Sequence, residues 1–215
     1  MKMMEFNFAF ALTCLIVELT PGPNMAYLAL LSANNGQRAG FSAVAGVALG
    51  LLVVGIASAL GIAAVIGSSP AIYQILRWSG GFYLLWLAND AWYSEDETSP
   101  GKASLSEQRS KFFRQGLITN LLNPKAAVFY VAILPGFINP QAAVLLQTIW
   151  LTVVYVLIAS AVHLSIVALA GRAQVWLDSP KRRRFARRLF AFLLAGVALW
   201  FLFETGHTAN LKSAE

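Results

Sequence analysis

The chain alternates long apolar runs with short polar ones. Phe41 to Ile66 carries no charged residue, and Ala142 to Gly171 carries none apart from the titratable His163. Either run exceeds the roughly 20 residues that a helix needs to cross a bilayer. The pattern predicts six spans, at 6–33, 41–66, 69–92, 112–138, 142–171 and 186–207. The longest polar stretch, Ser94 to Lys111, is only linker-sized. The expectation is an all-α integral membrane protein, with residues 1–215 forming one transmembrane domain.

Two of the spans are interrupted. Thr20-Pro21-Gly22-Pro23-Asn24 breaks the first, and Asn120-Leu121-Leu122-Asn123-Pro124-Lys125 breaks the fourth. A proline inside a helix removes a backbone donor and clashes with the carbonyl four residues back. Pro23 stands 18 residues before Phe41, and Pro124 stands 18 residues before Ala142. The matched spacing predicts two three-helix repeats, 6–92 and 112–207, joined by a linker at 94–111. Three spans are an odd number, so the second repeat enters the membrane from the opposite side. Broken helices in corresponding positions point to a binding site near the midplane of such an inverted repeat.

Each break offers specific chemistry. In the first, Pro21 and Pro23 are expected to free the carbonyls of Val17 and Leu19, and Gly22 can adopt positive φ. Asn24 is an expected N-cap for the half-helix that follows. In the second, Asn123 is an expected cap, Pro124 fits the first helical position, and Pro124 frees the carbonyl of Asn120. Lys125 adds a full positive charge beside open N–H groups, a setting that favours a carboxylate. Freed carbonyls suit an ammonium, so a zwitterionic amino acid matches both breaks.

Ionisable residues within spans are functional candidates by default. Glu18, one turn before Pro21, can accept a proton, bind a substrate amine or pair with Lys125. Arg77 and Asp90 are candidates for proton coupling or ion pairing, against which stands a reading of Arg77, Asp90 and Glu204 as snorkelling groups or structural pairs. His163 reads as a hydrogen-bonded interior histidine. Gly46 and Gly50 form a G-x-x-x-G that predicts close helix packing, as do Gly80 and Gly81.

Composition and charge agree with a membrane protein. Charged residues make up 12% of the chain and mean hydropathy is +0.63, against roughly 25% charged in soluble domains. Lys2 before an apolar run resembles a signal peptide, but no small-residue cleavage site follows, so Phe6 onward reads as a retained helix. The single cysteine, Cys14, excludes an intramolecular disulfide and a two-thiol relay. Arg38, then Lys102, Arg109, Lys111 and Arg114, then Arg172 and Lys181 to Arg188 fall in the odd-numbered loops. The positive-inside bias places those loops in the cytoplasm and both termini outside. The basic cluster from Lys181 to Arg188 reads as a topology determinant that meets anionic lipid rather than nucleic acid. The acidic Ser94 to Glu97 reads as a solvated loop.

Several segments together resemble the LysE/RhtB family of amino-acid exporters. They are Pro-Gly-Pro-Asn at 21–24, Gly-Gln-Arg-Ala-Gly at 36–40, Gly-Val-Ala-Leu-Gly at 46–50, the stretch Arg77 to Leu87, and Asn123 to Phe137. The resemblance implies a six-helix bacterial inner-membrane protein that exports amino acids or close derivatives, driven by the proton gradient, in a family often proposed to dimerise; no cofactor is expected. It puts functional weight on Pro21, Gly22, Pro23 and Asn24, and on Asn123, Pro124 and Lys125. The chain departs from the family in three places. Asn24 stands where an aspartate is common, Gly136 interrupts a Pro-Gln-Phe, and a histidine frequent in the second helix is absent. These departures leave Glu18 as the candidate for the protonatable role.

Other classes fit less well. A metal exporter would want His- or Cys-rich tracts, and the chain has two isolated histidines and one cysteine. An enzyme would want a nucleophile–base pair, and none stands out. A non-transporting membrane subunit stays open at this point.

Overall fold

In a computed structural model, the described residues are 2–20, 22–61, 70–93, 105–172 and 180–212. They are helices and turns, with no strand among them. The helices are α1 (Lys2–Leu19), α2 (Pro23–Asn35), α3 (Gln37–Ala59), α4 (Pro70–Tyr93), α5 (Leu105–Leu121), α6 (Pro124–Val128), α7 (Val144–Ala170) and α8 (Pro180–Lys212). A π turn, Phe129–Ile133, and a 3-10 turn, Leu134–Phe137, prolong α6.

The described residues of each expected span fall in one helix or one bent pair, and two to four of these segments pass as membrane spans by length and apolarity. Among the described residues, α3 and α7 are long and apolar enough to cross a membrane by themselves. Two bent pairs also pass when each is taken as a unit: Phe8–Leu19 with Pro23–Asn35, bent by 61°, and Leu105–Leu121 with Pro124–Phe137, bent by 48°. The prolines explain the breaks. Pro23, Pro70, Pro124 and Pro180 each open a helix, where a missing N–H costs nothing. Gly36, at φ 86°, turns α2 directly into α3, and its N–H closes on the Ser32 carbonyl at 2.9 Å.

α3 is central and packs along α5 and α7, while α2 leans on α3, α7 and α8, α4 on α8, and α1 on α7. Glycine permits the tightest contact. A Cβ at Gly46 would meet the backbone of Phe113 and Leu117, and one at Gly116 would meet the backbone of Ala43. The close packing expected of Gly46 is therefore an α3–α5 contact. Tyr27, Phe129, Tyr130, Tyr155 and Leu194 fill the interior. Phe8, Ile16, Trp86, Trp150, Leu157 and Phe192 face outward, leaving a surface as apolar as a lipid-facing one requires.

Candidate functional site

The first break differs locally from the expectation. Thr20 N–H turns back to the carbonyls of Ile16 and Val17, so the Val17 carbonyl is not free. Gly22 is extended at φ −161°, not at positive φ, and its carbonyl accepts from Ala26 N–H at 3.1 Å. Asn24 does not cap α2. Gly22 holds the cap position with no side-chain bond, and α2 begins two residues earlier than expected, at Pro23. Pro21 lies outside the described residues.

The second break follows the expectation more closely. Oδ1 of Asn123 accepts from Lys125 N–H at 3.1 Å, and Pro124 occupies the first turn. The Asn120 carbonyl, expected to be free, accepts from Asn123 N–H at 3.0 Å. The N–H groups of Ala126 and Ala127 close on the Asn123 carbonyl. With Pro124 lacking a donor, the start of α6 offers an anion the Lys125 ammonium rather than open backbone groups.

The two breaks exchange side chains. Asn24 Nδ2 donates to Asn120 Oδ1 at 2.7 Å, and Lys125 Nζ donates to the Thr20 carbonyl at 2.8 Å. At each break the residue that follows the helix-opening proline reaches the chain just ahead of the other break. Tyr27 Oη donates to Gln115 Oε1 at 3.1 Å, one turn further along the same α2–α5 seam.

Glu18 is buried at 4% exposure, and a carboxylate there must be paired to stay charged. Its partners come from α7. Tyr155 Oη donates to Oε1 at 2.6 Å, and His163 Nε2 lies 3.2 Å from Oε2, at ion-pair distance but without hydrogen-bond alignment. Glu18 therefore does not take Lys125 as its direct partner. Phe129 holds Tyr155 in place by stacking on its ring, with centroids 3.7 Å apart. The π turn presents Phe129, and it is closed by Leu134 N–H bonding to the Phe129 carbonyl. The sequence reading misses Tyr155 and takes His163 for a hydrogen-bonded interior histidine, whereas His163 Nε2 faces the Glu18 carboxylate without a hydrogen bond. A signal existed, because Thr148, Thr152, Tyr155, Ala159 and His163 form a buried stripe along otherwise apolar α7.

Glu18, Gly22, Asn24, Asn120, Asn123, Lys125, Tyr155 and His163 line one cavity of about 10 Å³, which is about the space of one water molecule. Asp90 stands apart, with its carboxylate 3.3 Å from Lys111 Nζ. This pair borders a wider groove between α4 and α5, of about 570 Å³. Arg188 lies over the Trp92 ring at 5.4 Å, joining the basic cluster to α4. The side chains of Arg77 and Glu204, and the acidic segment at 95–97, lie outside the described residues. Among the described residues, no three of His, Cys, Asp and Glu are grouped to hold a metal ion.

The sequence matches the family model described as LysE type translocator over residues 15–205. It is 29% identical over 197 residues to the homoserine/homoserine lactone efflux protein of Salmonella typhimurium, covering 91% of this chain and 96% of that protein. The corresponding protein of Salmonella typhi matches to the same extent. An uncharacterized membrane protein of Vibrio cholerae is 27% identical over 191 residues, covering 89% and 93% of the two chains. No solved structure matches this sequence.

Proposed function

The chain belongs to the LysE type translocators, and from that premise we propose that it exports amino acids or close derivatives by proton antiport. The observation that carries this reading is the crossing of the two broken helices beside a buried carboxylate. Lys125 and Glu18 supply opposite charges around one cavity. A zwitterion presents an ammonium to Glu18 and a carboxylate to Lys125. Gly22, Pro23, Asn24, Asn120, Asn123 and Pro124 shape the site, and Pro21 belongs with them on the motif. The relatives named for homoserine efflux favour a solute of about that size.

The cavity is too small for an amino acid, so transport requires the crossing to part. Six spans in two inverted repeats, 6–92 and 112–207, supply a mechanism. One half rocks against the other and exposes the breaks to each side in turn. A proton on Glu18 weakens its hold on an ammonium, which releases the solute and couples efflux to the gradient. In this reading the protein resides in the bacterial inner membrane as a homodimer, with both termini outside and the linker at 94–111 in the cytoplasm. Asp90 serves as an ion-pair residue away from the solute.

Reconstituted vesicles preloaded with a panel of amino acids, under an imposed pH gradient, test the proposal. Gradient-dependent efflux of at least one is expected. If none is exported, the reading fails.

A further inference from the structure

The hydrogen bond between Asn24 and Asn120 leaves half of each amide unused. Among the described residues, Asn24 Oδ1 and Asn120 Nδ2 have no hydrogen-bond partner. The two residues are 6% and 0% exposed, and both line the small cavity at the crossing. Buried polar atoms are nearly always paired, so an unmatched acceptor beside an unmatched donor marks a place built for a ligand group. Turning both amides over exchanges the atoms and leaves the same remainder, one donor and one acceptor.

We infer that the Asn24–Asn120 pair recognises a hydroxyl group on the transported amino acid. This rests on the reading that the crossing binds an amino acid. An ammonium has only donors and a carboxylate only acceptors, so either leaves one amide atom unmet. A hydroxyl oxygen donates to Asn24 Oδ1 and accepts from Asn120 Nδ2 with a single atom. A carboxamide needs two separate polar atoms to meet the same donor and acceptor. The pair is uncharged and bridges the two halves, so a hydroxyl there is read by both at once. Gly50 leaves room for the Asn120 amide, since a Cβ at that position would come within 2.7 Å of Nδ2.

The test compares solutes matched in all but the hydroxyl: homoserine against 2-aminobutyrate, and serine against alanine, each loaded into vesicles containing the full-length protein. A site that bonds a hydroxyl discriminates strongly against the analogue lacking it. The expected result is a preference of more than about tenfold in kcat/KM for each hydroxylated member. In Asn24→Ala and Asn120→Ala that ratio is expected to collapse toward one. Should either variant not fold, the wild-type ratios decide alone. Equal rates within each wild-type pair overturn the inference and leave the exporter reading intact; the amides then bridge a water only. A ratio that persists in folded variants assigns the hydroxyl to other residues and also overturns it. Export of neither solute of either pair, nor of any other amino acid, overturns both readings.

Discussion

The Tyr155 hydroxyl donates to the Glu18 carboxylate across 2.6 Å, tying the middle of α7 to the end of α1 just ahead of the first break. The bond is charge-assisted and buried. Tyr155→Phe keeps the stacking on Phe129 and removes only this bond. Hydrogen bonds to charged groups contribute about 1.5–3 kcal/mol, so a clear drop in the thermal midpoint of the purified protein is expected. An unchanged midpoint would show that Glu18 draws its support elsewhere.

Glu18→Gln keeps the shape of the site but cannot gain or lose a proton. Stimulation of efflux by an imposed pH gradient is expected to disappear in this variant. Measuring initial efflux rates with and without the gradient decides the matter. Proton dependence equal to wild type would exclude Glu18 from coupling.

Lys125 is the cation proposed to hold the solute carboxylate. Lys125→Met is expected to raise KM for amino acids by about tenfold or more, the equivalent of a lost charge-assisted bond. Competition by the matching amino alcohols, which lack the carboxylate, is expected to change far less. An equal loss for both classes would make Lys125 a structural residue that only braces the Thr20 carbonyl.

The α3–α5 contact depends on bare backbone at Gly46. Gly46→Ala forces a Cβ against the carbonyl of Phe113 and the nitrogen of Leu117, and overpacking of this kind costs about 1–3 kcal/mol. Gly136→Ala is the control, because a Cβ there meets nothing within 4 Å. Unfolding midpoints of the two variants are expected to separate clearly. Equal midpoints would show that the seam yields at little cost.

Only the segments with local causes were legible before the fold was known. Hydropathy located the apolar helices, because burial in lipid selects for long apolar runs. The prolines located both breaks because their geometry is intolerable inside any helix, whatever surrounds it. The Asn123 cap was equally legible, since its bond to Lys125 N–H spans two residues. The pairing of side chains was another matter. Asn24 had a plausible local role as a cap and instead reaches Asn120, 96 residues away. Glu18 finds Tyr155 across 137 residues, rather than the lysine that its charge alone proposed. Such choices depend on which helix faces come together, and that is set by the packing of α1 and α2 against α5 and α7. The sequence by itself determined where the chain must break. Only the tertiary structure decided what each break touches, because those contacts belong to the packing and not to any one segment.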